Sequence, residues 1–218
     1  MLSAISSIKC VTAIFLILHI THSIVMCNEC EYWAKFDLQI KINNKVSFSV
    51  KPQSRLNDNM SRYYYNRNDI GFILNISNYL DLNAYYTDKR KKSGNIWYSE
   101  NLTCMDAEFK WKIQKFNFSC RNRLEYSVDN KSSVFRSRIK LKRKLHVAGY
   151  SIAPYFEEEI FYNFETKNIK ENRVSLGLSK NIYKPIGLEV FYLLDSKKST
   201  DNWNNINIFG TNLKLNFK

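Results

Sequence analysis

The sequence predicts an all-β fold, an antiparallel up-and-down transmembrane β-barrel of about 12 strands with about 10 as the fallback. Three observations support this prediction. The 218 residues include 14 Tyr, 14 Phe and 4 Trp, which favour strands, against only 6 Gly and 3 Pro. After Glu31, apolar residues recur at every second position, which is the period of a strand and not of a helix. Short and longer polar connections alternate along the chain, as they do in transmembrane barrels.

Residues 1–27 have the parts of a secretory signal peptide. An apolar run from Val11 to Leu18 follows a single lysine, and it is too short to cross a bilayer as a helix of about 20 residues. Cys27 fits the last position before a signal-peptidase cut. Lipidation of Cys27 is the alternative, although Met26 is an unfavourable residue before a lipidated cysteine. We therefore expect export to the bacterial outer membrane and one barrel domain over residues 28–218.

The apolar and polar residues alternate in eleven segments, and in the first of them Tyr32 and Ala34 alternate with Trp33 and Lys35. In chain order the segments lie at residues 32–42, 46–55, 70–76, 80–86, 105–111, 116–126, 135–142, 152–160, 174–178, 188–194 and 206–217. A spanning sheet must close and turn its apolar face to the lipid, because lipid offers the backbone no hydrogen-bond partner. Single-chain bacterial barrels usually have an even number of strands. We therefore expect a hidden crossing within residues 97–113 or at the N terminus, or one segment that is a loop.

The ends of the segments fit a membrane in two ways. Aromatic residues gather there, as an aromatic girdle at the headgroup level requires; they are Tyr63, Tyr64, Tyr65, Tyr85, Tyr86, Trp97, Tyr98 and Tyr162. Short connections are expected near Asn43, Asn78, Gln114, Leu145 and Ile182, and long polar ones near Asn59, Lys91, Asn130, Lys167 and Ser199.

The charge of the chain limits its partners. Removal of the signal peptide, with its one lysine and no acid, lowers the net charge from +13 to +12. The basic residues are scattered, so we expect no nucleic acid, and an exported basic chain meets outer-membrane lipid, lipopolysaccharide and small anionic solutes. We expect no cofactor and no metal, because Cys104, Cys120 and His146 are not spaced as a zinc site and no nucleotide fingerprint occurs.

Three cysteines, Cys30, Cys104 and Cys120, remain after the expected cleavage. Their odd number is not that of a disulfide framework. A bridge between Cys104 and Cys120 in an oxidising periplasm and two separate thiols are both open.

The last segment places Leu213, Leu215 and Phe217 on one face. A nearly terminal aromatic residue at the end of an alternating strand is typical of the signal read by the barrel-assembly machinery. Lys218 follows Phe217 and departs from the usual form, in which the aromatic residue is the last one.

Four stretches resemble, in their order and spacing, the bacterial family called domain of unknown function 2490. They are Arg121-Asn-Arg-Leu-Glu-Tyr126, Arg136-Ser-Arg-Ile-Lys-Leu-Lys-Arg143, Pro154-Tyr-Phe-Glu-Glu-Glu-Ile-Phe161 and Glu171-Asn-Arg-Val-Ser-Leu-Gly-Leu178. The resemblance covers residues 31–217 and implies an outer-membrane barrel without an established activity and without catalytic residues. It also implies that the inward Arg and Glu residues occupy the positions of the family's recurring charges. The lumen candidates are Arg121, Arg123, Glu125, Arg136, Arg138, Lys140, Glu157, Glu159, Arg173 and Glu189.

Three functions follow from these expectations. A barrel with this charged lumen is a narrow channel that favours anions, or a structural barrel whose lumen is filled by ion pairs. The alternative is a soluble periplasmic barrel with the faces exchanged, which would bind an apolar ligand in its interior. A lipid-modifying enzyme is disfavoured and we expect no enzyme, because His146 is the single histidine after export and no Gly-x-Ser-x-Gly occurs.

Overall fold

The computed structural model describes residues 30–147, 149–199 and 202–217. The expected signal peptide at residues 1–27 lies outside the described residues. Within the described part of the chain, there is no helix of the length and apolarity needed to cross a membrane. The strands are β1 (Cys30–Lys41), β2 (Val46–Asn57), β3 (Arg62–Ser77), β4 (Leu80–Ser93), β5 (Ile96–Ile113), β6 (Phe116–Ser127), β7 (Ser132–Arg143), β8 (Leu145–Val147), β9 (Tyr150–Asn163), β10 (Asn168–Tyr183), β11 (Ile186–Ser199) and β12 (Asn202–Phe217).

Eleven of the strands close into the wall of a barrel. From β1 to β7 and from β9 to β12 each strand pairs antiparallel with the next, and β9 pairs with both β7 and β10. The ring is completed by β1 and β12, which run parallel with Cys30 opposite Asn207 and Ile40 opposite Phe217. The remaining strand, β8, has three residues and pairs with the start of β9. The predicted all-β barrel is therefore confirmed.

The odd number of wall strands explains the parallel pair. Each hairpin reverses the chain, so the first and the last of eleven wall strands point in the same direction and meet in parallel. No further crossing lies within residues 97–113, which belong to the single strand β5, and from residue 30 onward the N-terminal part of the described chain forms β1 alone. The twelfth strand that even parity suggested exists as β8, but it lies in the connection between β7 and β9 and not in the wall.

The prediction of long polar connections on one side of the barrel is wrong. Near Lys91, for example, β4 and β5 remain paired up to Ser93 and Ile96, and Lys91 itself lies opposite Tyr98. A β-ladder needs only backbone hydrogen bonds, so polar side chains that reach water do not end a strand. The pairing therefore continues beyond the apolar part of the wall into the segments that the composition assigned to loops.

The two faces of the wall differ in polarity as the alternation predicts. On β4, Asp81, Asn83 and Tyr85 point inward and are buried, whereas Leu82 and Tyr86 point outward and are exposed. The same division recurs around the ring. Exposed apolar side chains of the outer face include Ile70, Phe72, Leu74, Met105, Phe109, Ile139, Phe156, Leu176, Leu178, Val190 and Leu213. The exchanged arrangement of the soluble alternative, with apolar faces around a ligand cavity, is not the arrangement of this barrel.

The aromatic residues near the strand ends divide between the faces. Tyr63 and Trp97 are exposed on the outside, with ring centroids 5.4 Å apart. Tyr64, Tyr65 and Tyr85 are buried inside, so their expected place in an outer girdle is wrong. A register shift between β2 and β3 at this point adds a residue to β3, and this bulge brings Tyr64 and Tyr65 to the interior together.

Glycines on the inner face make room for inward aromatic rings. Gly210 lies opposite Phe191 and Gly177 lies opposite Tyr155 in the registers of their strand pairs. A Cβ atom at either glycine would overlap the ring that lies against it. The absent side chains therefore allow Phe191 and Tyr155 to lie against the wall, where they join Trp33 and other buried apolar residues in one cluster.

The outer face also carries polar residues, which pair with one another across strands. The Ser137 hydroxyl donates a hydrogen bond to the Asn122 side-chain oxygen at 3.0 Å, and the Tyr192 hydroxyl donates to Asn207 at 2.5 Å. These pairs reduce the number of unsatisfied groups on the apolar surface.

Candidate solute site in the barrel interior

The interior of the barrel holds a cavity of about 340 Å³ lined by charged side chains. Among the described residues, fourteen Lys or Arg and seven Asp or Glu side chains line it, and three further carboxylates, those of Glu100, Asp106 and Asp195, form ion pairs with lining cations, which leaves an excess of four positive charges. Alternation places these residues on the inner face, and closure of the ring brings the inner faces of distant strands together. The site is therefore assembled from most of the wall and not from one segment of the chain.

Arg123 on β6 is at the centre of one group of ion pairs. Its Nε and a terminal nitrogen donate to the two carboxylate oxygens of Asp106 at 2.5 and 2.8 Å. This paired geometry suits a guanidinium and a carboxylate on neighbouring strands, since Asp106 lies directly opposite Arg123 in the register. Arg123 also donates to Asp69 of β3 at 3.3 Å, and Asp69 accepts a hydrogen bond from Arg67 at 2.6 Å.

Two glutamates connect this group to the other side of the lumen. Glu125 accepts hydrogen bonds from Arg67 of β3 at 2.8 Å and Arg136 of β7 at 2.6 Å. Arg136 also donates to both oxygens of Glu159 on β9, at 3.0 and 3.1 Å, and Arg121 donates to the same carboxylate at 2.6 Å. The charged side chains thus form a continuous network from β3 to β9 across the interior.

A third glutamate, Glu189 on β11, lies close to lysines of other strands. The Lys214 ammonium of β12 lies 2.8 Å from one of its oxygens, and Lys140 and Lys142 of β7 lie 3.8 Å from its oxygens. Lys140 is also 3.4 Å from Glu157. Lysine ammonium groups outnumber the carboxylates here, so this part of the lumen contributes to the positive excess.

All ten lumen candidates line this cavity: Arg121, Arg123, Glu125, Arg136, Arg138, Lys140, Glu157, Glu159, Arg173 and Glu189. Their placement follows from the alternation, whereas a functional role for them stays a prediction. Arg173 contacts Glu171 at 2.5 Å and Asp195 at 3.3 Å.

Several members of the network are not among the residues predicted from the sequence. Arg67 and Asp69 lie before the recognised segment of β3, where the outward positions are asparagines and the apolar signal is absent. The spacing of Tyr65, Arg67 and Asp69 at every second residue could have extended that segment. Asp195 on β11 follows the same rule, since it continues the inward series of Phe191 and Leu193. Alternation of charged with neutral polar residues was the available signal.

Three cations on β1 and β2 are held by aromatic rings. The Arg55 guanidinium lies 3.7 Å from the Trp33 ring centroid and 3.9 Å from that of Tyr65. The Lys35 ammonium lies 4.6 Å from the Phe191 ring. Lys51 donates a hydrogen bond to the Tyr85 hydroxyl at 2.7 Å and lies 4.6 Å from that ring.

Cys104 and Cys120 are separate thiols, so a bridge between these two residues is not formed. Cys104 is buried on the inner face, 3.5 Å from the Thr87 hydroxyl, while Cys120 lies on the other face opposite Phe109. His146 is an exposed residue of β8. Among the described residues, no group of three or more His, Cys, Asp or Glu could hold a metal ion.

The C-terminal strand completes the wall. Leu213, Leu215 and Phe217 pair with Phe36, Leu38 and Ile40 of β1 and share their outward face. Their use as an assembly signal stays a prediction.

The fold and its interior define a closed, mainly antiparallel β-barrel with a charged lumen. A family model described as a protein of unknown function (DUF2490) matches residues 30–207, from the start of β1 into β12. The chain belongs to this family, as the resemblance of its four stretches predicts. A comparison with curated proteins found no match.

Proposed function

We propose that this chain is an integral outer-membrane β-barrel of a Gram-negative bacterium, with a narrow lumen that favours small anions. The observation that carries the proposal is the polarity of the wall. Apolar side chains cover the outer face on strand after strand, while charged side chains fill the interior. In water such an outer face would be costly at about 25 cal/mol per Å² of apolar surface. In hydrocarbon the same face is favourable, and the closed ring leaves no unpaired edge along the wall.

The exposed aromatic rings add support because they lie near both rims of the barrel. Aromatic residues gather at the two interfaces of transmembrane barrels, where their rings meet the headgroups. Phe217 lies at one rim, the C-terminal rim. This rim has exposed Tyr79, Trp111, Tyr150, Tyr183 and Phe217. The opposite rim has exposed Tyr63, Trp97, Tyr98, Phe164 and Trp203.

The lumen supports passage or binding of small anions more than passage of large solutes. Its ion pairs join strands across the interior and narrow it, while the excess of four positive charges in and around the cavity attracts anions. A structural barrel filled by its own ion pairs is the second candidate, which the bidentate contacts of Arg123 with Asp106 favour. In both cases the proposed partners are outer-membrane lipid, lipopolysaccharide and the barrel-assembly machinery.

Fractionation of the native host, followed by a heat-modifiability gel, tests the location. We expect the protein in the outer membrane, with lower apparent mass before boiling than after it, because a closed barrel resists unfolding by detergent. A soluble periplasmic protein without a mobility shift would contradict the proposal. Conductance of the purified barrel in planar bilayers then separates an open anion passage from a filled lumen.

A further inference from the structure

Some of the positively charged side chains that line the cavity form ion pairs with carboxylates, and others do not. Ten of the fourteen lining cations form ion pairs with a carboxylate among the described residues. The four that make no ion pair with a described carboxylate are Lys35, Lys51, Arg55 and Lys170. Three of these four lie on the neighbouring strands β1 and β2. The lining cations that make no ion pair are therefore concentrated on one part of the wall.

Aromatic rings hold these three cations in place without cancelling their charge. Arg55 lies against the rings of Trp33 and Tyr65, and Lys35 lies over those of Phe191 and Trp33. A ring face attracts a cation through its quadrupole but carries no net charge. The indole N–H of Trp33 donates to Glu31 at 2.9 Å, which fixes the ring that both cations use. The wall thus presents ordered cations that remain able to attract an anion.

Hydrogen-bond donors without acceptors lie between the cations. Gln53 is directly opposite Lys35 in the register and is two residues from both Lys51 and Arg55 on the inner face of β2. The Gln53 Nε2 and Arg55 Nε atoms are buried and have no hydrogen-bond partner among the described residues. Most buried polar groups in proteins find a partner, so a pair of empty donors next to unpaired cations calls for an acceptor. Asp37 also lines the cavity, but it makes no ion pair with Lys35 or Lys51.

We infer that Lys35, Gln53 and Arg55, with Lys51 beside them, form a binding site for a tetrahedral oxyanion. Inorganic phosphate and the phosphate group of a small solute share this chemistry, because each offers several acceptor oxygens and more than one negative charge near neutral pH. The guanidinium can donate two parallel hydrogen bonds to such a group, and the lysines supply point charges. A cavity of about 340 Å³ has room for a small phosphorylated solute.

This inference deepens the proposed function by naming the class of solute. It requires the closed barrel and its interior, but it does not depend on which membrane or compartment holds the barrel. Binding can be measured on the purified, folded full chain in detergent, or in buffer if the chain proves to be soluble. A result that contradicts the outer-membrane location can therefore be distinguished from a result that contradicts the anion-binding site.

The test is calorimetric titration of the folded protein with inorganic phosphate at constant chloride concentration. We expect saturable binding at one site, and at least tenfold weaker binding for Lys35→Gln and for Arg55→Gln. The matched control is Lys214→Gln, which removes a cation from the same cavity that is already paired with Glu189. Its phosphate affinity is expected to stay within threefold of the unchanged protein. A heat-modifiability gel for each variant ensures that only folded barrels are compared.

Two results would overturn the inference. One is a folded, unsubstituted barrel that shows no saturable phosphate binding. The other is an equal loss of affinity in Lys214→Gln and Arg55→Gln, since that would reflect the general positive potential of the lumen and not a site on β1 and β2. A parallel titration with glycerol phosphate identifies the source of the anion: tighter binding than inorganic phosphate indicates a phosphorylated solute, and equal binding indicates phosphate alone.

Discussion

Gly210 shows how a single residue on the inner face controls the packing of the lumen. It lies on β12 between Phe191 of β11 and Trp33 of β1 in the registers of the two pairings. The Phe191 ring occupies the space that a side chain at residue 210 would fill. A side chain at residue 210 would therefore displace the Phe191 ring, over which the Lys35 ammonium lies.

We expect Gly210→Ala to lower the free energy of unfolding by roughly 1–3 kcal/mol, the usual effect of overpacking. The reason is that the Phe191 ring must leave its position against the wall. Urea unfolding of the refolded barrel in lipid vesicles measures the change.

Gly187→Ala provides the matched control for this substitution. Gly187 is also an inward glycine of the wall, but the nearest atom to its added Cβ would be 3.4 Å away. We expect a change below about 0.5 kcal/mol there, and Phe191→Leu should relieve part of the effect of Gly210→Ala. Equal effects at residues 187 and 210 would contradict the packing argument.

For the charged residues, the sequence predicts the orientation of a side chain but not its partners. The inward orientation of Arg123 and Glu159 was predictable, because each lies on the polar side of a segment whose other side is mainly apolar. Their partners were not, since the contact of Arg67 with Glu125 joins strands separated by two others. Such pairs depend on the curvature of the closed ring, which no local pattern contains. The role of Gln53 was hidden for the same reason, as its empty donor is visible only beside Lys35.

The strands themselves were the most predictable feature of the fold. Alternation located segments in all eleven wall strands, because each strand has an apolar outer face and a polar inner face. It failed at strand ends, as where β4 continues to Ser93, opposite Ile96 of β5, with polar residues on both of its faces. It also missed β8, which is three residues long and too short to display a period.

The seam between β1 and β12 differs from the other seams of the wall. It is the parallel one among the described strands, and it joins residues far apart in the chain, such as Leu38 and Leu215. The hydrogen bonds of parallel pairs are slanted and slightly less stable per residue than those of antiparallel pairs. We therefore expect this seam to open more readily than a hairpin.

Hydrogen exchange followed by NMR in micelles tests this expectation. The amides of β12 that bond to β1 should exchange faster than the amides of β12 that bond to β11. The comparison within one strand keeps the local sequence and depth similar. Slower or equal exchange on the β1 side would show that the parallel seam is not the weak one.

The two rims of the barrel differ in charge. The C-terminal rim carries eight exposed basic residues and, among the described residues, no exposed Asp or Glu; the basic residues are Lys41, Lys45, Lys112, Lys115, Arg143, Lys144, Lys180 and Lys184. The opposite rim mixes exposed bases with the exposed acids Asp58, Asp129 and Glu165. Composition predicted a basic chain but not this asymmetry, because the turns of one rim are dispersed along the sequence.

We expect the C-terminal rim to favour anionic lipid headgroups, with about 1 kcal/mol for each Lys or Arg near the membrane surface. The unfolding free energy should therefore be higher in vesicles that contain an anionic phospholipid than in zwitterionic vesicles. Joint replacement of Lys45, Lys115, Lys144 and Lys184 by Gln should reduce this difference.

The control replaces the same number of bases on the opposite rim, Arg62, Lys91, Lys131 and Lys167, by Gln. We expect a smaller reduction, since acids there already offset the positive charge. High salt should diminish both effects, because exposed charges are screened. An identical response of the two rims would contradict a lipid preference of the C-terminal rim.

The odd number of wall strands has a topological consequence for insertion. A wall with an even number of strands returns the chain to the side from which it started, and this wall of eleven does not. The chain enters β1 near one mouth of the barrel and leaves β12 at the other. If the wall is set in a bilayer, residue 30 and residue 217 face different compartments, so one end of the domain must be threaded across before the ring can close.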